Sequence, residues 1–241
     1  MENFQVPMEV TFNVLYLLAI WAIVIIMVKR KESVPKNETG PALWILIAFA
    51  LLALGDTGHV GFRVVAFALG GLDTSFTLGG KSWNLAGLGS MATSWTFTAF
   101  YVCMVFMWRS RFSEKLGVLA WFLLLLAVFR SIVMLLPGNQ WDQLMSPRPI
   151  SIIRSTPLLL MQVGVAYLIL RDATRSNDGT FRWIGLVILV SFVFYAPVVF
   201  LVHSIPPIGM LMIPKTLAYM VIAIIGLKHF YMSTKVSAVP A

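Results

Sequence analysis

Cysteine, charged side chains and long polar stretches are all scarce in this chain. Its one cysteine, Cys103, excludes an intramolecular disulfide and any zinc site built on several thiolates. That residue sits in an apolar segment and reads as a small buried hydrophobe. Only 12% of the 241 residues are charged, against roughly 25% in soluble domains. By contrast, 59% are hydrophobic, and a soluble fold that apolar has no means of covering its surface. There is no low-complexity tract, no internal repeat and no stretch that reads as a soluble domain. The first apolar run is too long for a signal-peptide core and no small-residue cleavage site follows it. It reads as a membrane helix that also directs insertion.

What the chain does hold is a series of apolar runs of about 20 residues, the length that spans a bilayer. We place seven, at about 8–29, 43–70, 88–108, 115–136, 149–170, 181–203 and 207–231. The breaks between them are polar, Gly-rich or Pro-rich, from "RKESVPKNETGP" to "HSIPP". Pro137, Pro149, Pro206 and Pro207 mark helix ends. The reading is all-α: a polytopic seven-transmembrane-helix bundle forming a single domain over residues 1–241.

Lysine and arginine counts orient it. Twelve lie in the first, third and fifth loops and the C-terminal tail: Lys29, Arg30, Lys31, Lys36, Arg109, Arg111, Lys115, Arg171, Arg175, Arg182, Lys228 and Lys235. Only Lys81 and Arg148 lie on the other side. The expected topology is therefore N-terminus outside, C-terminus cytoplasmic, in a cell membrane crossed several times. The net charge of +8 is explained by this distribution and needs no nucleic-acid partner.

Against this apolar background, "GDTGHVGFR" at 55–63 stands out. Asp56, His59 and Arg63 are spaced i, i+3, i+7 and so share one helix face. Glu9, Asn13 and Tyr16 repeat the spacing in the first span, as do Ser90, Ser94, Thr98 and Tyr101 in the third and Lys215 and Tyr219 in the seventh. Arg130, Arg154, Tyr195 and His203 come from the fourth, fifth and sixth. Turning these faces inward gives a shared polar interior. At 1.5 Å per residue, Asp56 lies roughly 20 Å from the start of its span, near the midplane. Arg154, Lys215, Glu9 and His203 lie closer to the outer ends, whereas the cytoplasmic half is nearly all apolar. This asymmetry favours a cavity open to the outside over a continuous channel. Gly55, Gly58 and Gly61 read as helix-packing contacts.

Four cations (Arg63, Arg130, Arg154, Lys215) share this interior with two carboxylates (Asp56, Glu9). Buried charge calls for a partner, and an anionic ligand supplies it, since arginine forks fit oxyanions. The competing reading is structural: an Asp56–Arg63 or Asp56–Arg130 ion pair, with the outer arginines reaching toward the interface. Asp56 and His59 at i, i+3 can also serve as acid and base. A metal site would want a third ligand, and only His203 offers itself, so neither a metal nor a cofactor is expected. Transport is disfavoured, since paired broken helices and repeated halves are not evident.

The "GDxxH…R" pattern, together with "LPGNQW" at 136–141, resembles a family of uncharacterised prokaryotic seven-helix integral membrane proteins. That likeness implies the bundle and carries no activity. "LGD" at 54–56 is similar to a Gly-Asp motif of lysoplasmalogenase-type membrane hydrolases, which would make Asp56 and His59 catalytic. A lysine in the seventh span, with "FYAPVVFLV" at 194–202, looks like microbial rhodopsins, which implies retinal held on Lys215.

The function expected is binding of an anionic or amphiphilic small molecule, such as a lipid head group, phosphate or carboxylate, in an outward-facing polar pocket. Arg63, Arg130, Arg154, Lys215, Tyr101 and Glu9 are the candidate binding residues, and membrane lipids are the surrounding partners. Lipid hydrolysis by Asp56 and His59, and a Lys215 pigment, stand as alternatives. Signalling would require a cytoplasmic partner docking on the basic loops.

Overall fold

The structure, a computed structural model, describes residues 2–232, with the side chains of 2–10 and of Leu78 outside the described set. Seven helices dominate it. They are α1 (Glu2–Lys29), α2 (Thr39–Ala68), α3 (Leu85–Phe112), α4 (Val118–Leu135), α5 (Arg148–Arg175), α6 (Gly179–Leu201) and α7 (Met212–Gly226). A 3-10 turn, Pro206–Leu211, leads into α7, and a π turn, Leu227–Tyr231, extends it. All seven segments are long and apolar enough to cross a membrane, and they form an all-α bundle. Consecutive helices pack side by side, α7 returns to α1, and α3 also reaches α5.

Local chemistry sets the helix ends. Asn84 caps α3, its Oδ1 accepting from the Gly87 amide at 2.9 Å, and Asp178 caps α6 through the Phe181 amide at 3.1 Å. Ser113 closes α3 in the left-handed region at φ 53°. The 30 residues of α2 span roughly 45 Å, more than the ~30 Å hydrocarbon core needs.

α2 and α3 share the most extensive helix contact in the bundle. A Cβ on Gly89 would lie 2.9 Å from the His59 Cα, and one on Gly58 would lie 3.0 Å from the Ala92 Cβ. A Cβ on Gly55 would collide with Thr96. Thr93 uses the same approach to donate to the Gly55 carbonyl at 3.1 Å. Gly61 differs from the sequence expectation, because among the described residues nothing lies within 4 Å of where its Cβ would be.

Each end of the bundle is tied. At the basic-loop end, Arg111 grips Asp178 through Nε and Nη2 (3.1 and 2.7 Å), bonds Glu38 through Nη1, and stacks over Phe181. One side chain thus joins the starts of α2 and α6 to the end of α3. At the opposite end, the Gly-rich break forms a hairpin of β1 (Ser75–Leu78) and β2 (Lys81–Asn84). Its two-residue turn, Gly79–Gly80, has φ +63° and +76°, values that glycine adopts without strain. The hairpin locks onto the α4–α5 loop: the Asn84 amide donates to the Asp142 carbonyl at 3.0 Å, and Lys81 pairs with Asp142 at 3.3 Å. Gly87 lies against the carbonyls of Trp141 and Gln143, where no Cβ fits.

Candidate functional site

Lys215 is the centre of the polar interior. Two turns of the chain precede it: the 3-10 turn after Ile205 and the first residues of α7. It is 6% exposed, and its Nζ lies 4.3 Å from the ring centroids of both Phe97 and Tyr195 and 5.8 Å from that of Tyr219. Rings from α3, α6 and α7 thus form an aromatic box around an ammonium, an arrangement that stabilises positive charge through the ring quadrupoles. No carboxylate among the described residues lies within ion-pair distance of Lys215. Asp56 and Arg130 are both within its electrostatic reach.

Asp56 is held from α1. The Tyr16 hydroxyl donates to its Oδ2 at 2.7 Å. One turn on, Trp21 of α1 donates to Thr57 at 2.9 Å, so the α1–α2 contact is polar over two successive turns. Asp56, His59 and Arg63 are half-buried. His59 Nδ1 is buried without a hydrogen-bond partner among the described residues, and Asp56 and His59 are not bonded to one another. The Glu9 side chain lies outside the described residues.

Arg130 and Arg154 occupy a neighbouring knot. Arg130 is 2% exposed and spends three donors on uncharged acceptors from two other helices. Nε donates to Thr98 Oγ1 at 2.9 Å, Nη1 to the Arg154 carbonyl at 2.9 Å, and Nη2 to the Ser94 carbonyl at 3.3 Å. Arg154 in turn holds the "LPGNQW" loop. Its Nη1 donates to Asn139 Oδ1 at 2.9 Å and Ser146 Oγ at 3.1 Å, and its guanidinium lies 4.2 Å from the Trp141 ring centroid. Asn139, fully buried, donates back to the Val133 and Leu136 carbonyls that end α4. That motif is thus a loop folded around one arginine, and His203 reaches the same loop at the Ser146 carbonyl, 3.3 Å away.

Tyr101 belongs to a third group, deeper than Lys215. Its hydroxyl is hydrogen-bonded to that of Tyr219, which accepts from Gln162 Nε2 at 2.8 Å; Ser191 completes the set at 3.5 Å from the same nitrogen. Four helices (α3, α5, α6, α7) meet here with all four side chains buried. Gln162 Oε1 has no partner among the described residues. Gln162, Ser191 and the Phe97 wall of the box were not among the residues expected from sequence. Gln162 carried the signal of a lone amide inside the apolar run "LLLMQVGVAY", which in a membrane helix marks an inward face.

The three groups connect. Tyr16–Asp56 reaches Lys215 electrostatically, Lys215 shares Tyr219 with the Gln162 network, and Arg130 of the arginine knot is within electrostatic reach of Lys215. Among the described residues, no three His, Cys, Asp or Glu side chains gather as a metal site requires. Comparison with protein-family models, with curated proteins and with solved structures found no match.

Proposed function

We propose that this protein binds an anionic or amphiphilic small molecule against Lys215, in the polar interior that the stripe on α2 borders. The observation that carries this reading is a charge balance. Lys215 and Arg130 are buried cations, and the one described carboxylate near them, Asp56, is already bonded to Tyr16. An anionic head group on Lys215 offsets that excess, and the ligand's apolar part lies along Phe97 and Tyr195. Arg130 and Arg154 then act by shaping the wall, since neutral acceptors already occupy their donors. The surplus of lysine and arginine at one end supports an orientation with the N-terminus outside and the hairpin facing the exterior of the cell membrane. With Lys215 so little exposed, entry requires a segment beside it to give way, and the α6–α7 turn that leads into its helix is the adjoining one.

The test is thermal unfolding in a maltoside detergent with added dodecyl phosphate. A ligand that binds only the folded state raises the melting temperature with concentration. Stabilisation of the wild type that Lys215→Met abolishes supports the reading, and an equal shift in both proteins contradicts it.

The aromatic box favours a second reading. An amphiphilic aldehyde such as retinal would form an imine with the Lys215 amine, releasing water, with Asp56 in reach as counter-ion. Added retinal should then give visible absorbance that Lys215→Ala lacks. Hydrolysis by Asp56 and His59 gains no comparable support, because the two side chains are not paired.

A further inference from the structure

A groove of about 610 Å³ lies on the lateral face of the bundle between α5 and α6. Val163, Tyr167 and Leu170 of α5 and Leu189 of α6 make it apolar over most of its length. Leu170 packs over Gly185, where an added Cβ would meet its Cγ at 2.6 Å, so the glycine sets the depth of the helix contact. Toward the basic-loop end the lining changes to Arg171 and Arg175. Residues 163, 167, 171 and 175 recur at i+4 and form one stripe on α5.

The arginines at that end are unevenly committed. Asp172 accepts from Arg171 Nε at 2.9 Å and Nη2 at 2.7 Å, from the Trp108 indole at 2.8 Å and from Arg175 Nη1 at 3.5 Å. Both carboxylate oxygens are therefore engaged, while Arg175 commits one long contact and its side chain is 70% exposed. Arg182 donates to the Thr174 carbonyl at 3.3 Å and brings a third cation to the rim. Glu114, within electrostatic reach of Arg171, is the second carboxylate. Arg111 beside them is taken up by Asp178 and Glu38, so Arg175 is the rim cation with donors to spare.

We propose that this groove is a binding site for one anionic phospholipid. An acyl chain lies along Val163, Leu170 and Leu189, and the phosphate sits on Arg175 with help from Arg171. Guanidinium donors match phosphate oxygens in geometry and charge. The apolar length of the groove selects a lipid over a free phosphate, which would have no use for it. The site is separate from Lys215: the groove is lined by residues of α5 and α6, none of which belongs to the aromatic box around that buried lysine.

The test is native mass spectrometry of delipidated protein titrated with phosphatidylglycerol or phosphatidylcholine. Wild type should retain one phosphatidylglycerol in preference to phosphatidylcholine by about fivefold, the weight of one arginine near a charged lipid. Arg175→Gln should lose the preference, at little cost in stability because the pair it breaks is exposed. Val163→Trp, which fills the groove from a surface position, should weaken retention of both lipids. Lys215→Met should keep the wild-type preference. Equal retention of both lipids by wild type overturns the proposal, as does an unchanged preference in Arg175→Gln, unchanged retention in Val163→Trp or a preference that disappears in Lys215→Met.

Discussion

The hydroxyl of Tyr16 donates to Oδ2 of Asp56 at 2.7 Å, across 40 residues of sequence. This bond fixes α1 against the stripe on α2 and supplies Asp56 with a donor inside the bundle. Tyr16→Phe removes the donor and leaves the carboxylate short of a partner, a loss of about 1–3 kcal/mol. Thermal or denaturant unfolding in detergent measures it. The double variant with Asp56→Asn should cost less than the two single losses combined, because both act on one bond. Additive losses would contradict the pairing.

The α2–α3 seam makes a paired prediction. Gly89→Ala places a methyl 2.9 Å from the His59 Cα, so the helices must separate. Among the described residues, Gly61→Ala meets nothing within 4 Å, and it trades glycine for a better helix former, a gain of up to ~1 kcal/mol. Unfolding measurements should therefore move in opposite directions for two substitutions that read alike in sequence.

The sequence exposed the fold more readily than the site, and particular residues show why. Apolar runs and proline breaks mark seven spans, because membrane helices must satisfy their backbone internally and so are long and continuous. The hairpin was legible only in Gly79–Gly80, since four-residue strands give too little alternation to register. Asp56, His59 and Arg63 announced a shared face by spacing alone. Arg130 and Arg154 did not announce their partners. The carbonyls of Ser94 and Arg154, and the Asn139 amide, become acceptors only once helices cross and a loop folds back. Reading the two arginines as open forks therefore overstated the donors available to a ligand and understated their structural work, although their charge remains. Arg111 was counted toward orientation, yet it is ion-paired to Asp178 and Glu38.

Orientation has its own check. Ser82 on the hairpin and Lys115 in the α3–α4 loop are both exposed, at opposite ends of the bundle. In intact cells, a membrane-impermeant maleimide should label Ser82→Cys and spare Lys115→Cys until the membrane is opened. The native Cys103 is buried and should contribute little background. The reverse pattern would place the N-terminus in the cytoplasm.

The central claim is that Lys215 holds an anion. Phosphorus-31 NMR of dodecyl phosphate added to the purified protein tests it most directly, carried out in the Arg175→Gln background so that the α5–α6 groove does not contribute. A distinct bound resonance should appear. It should persist when Arg109, exposed at the basic-loop end, is changed to Gln, and vanish when Lys215→Met is introduced. Methionine keeps an unbranched apolar stem against Phe97 and Tyr195, so the box stays filled while the charge is lost. A bound resonance of equal intensity in Lys215→Met, or none in the parent protein, would contradict the account.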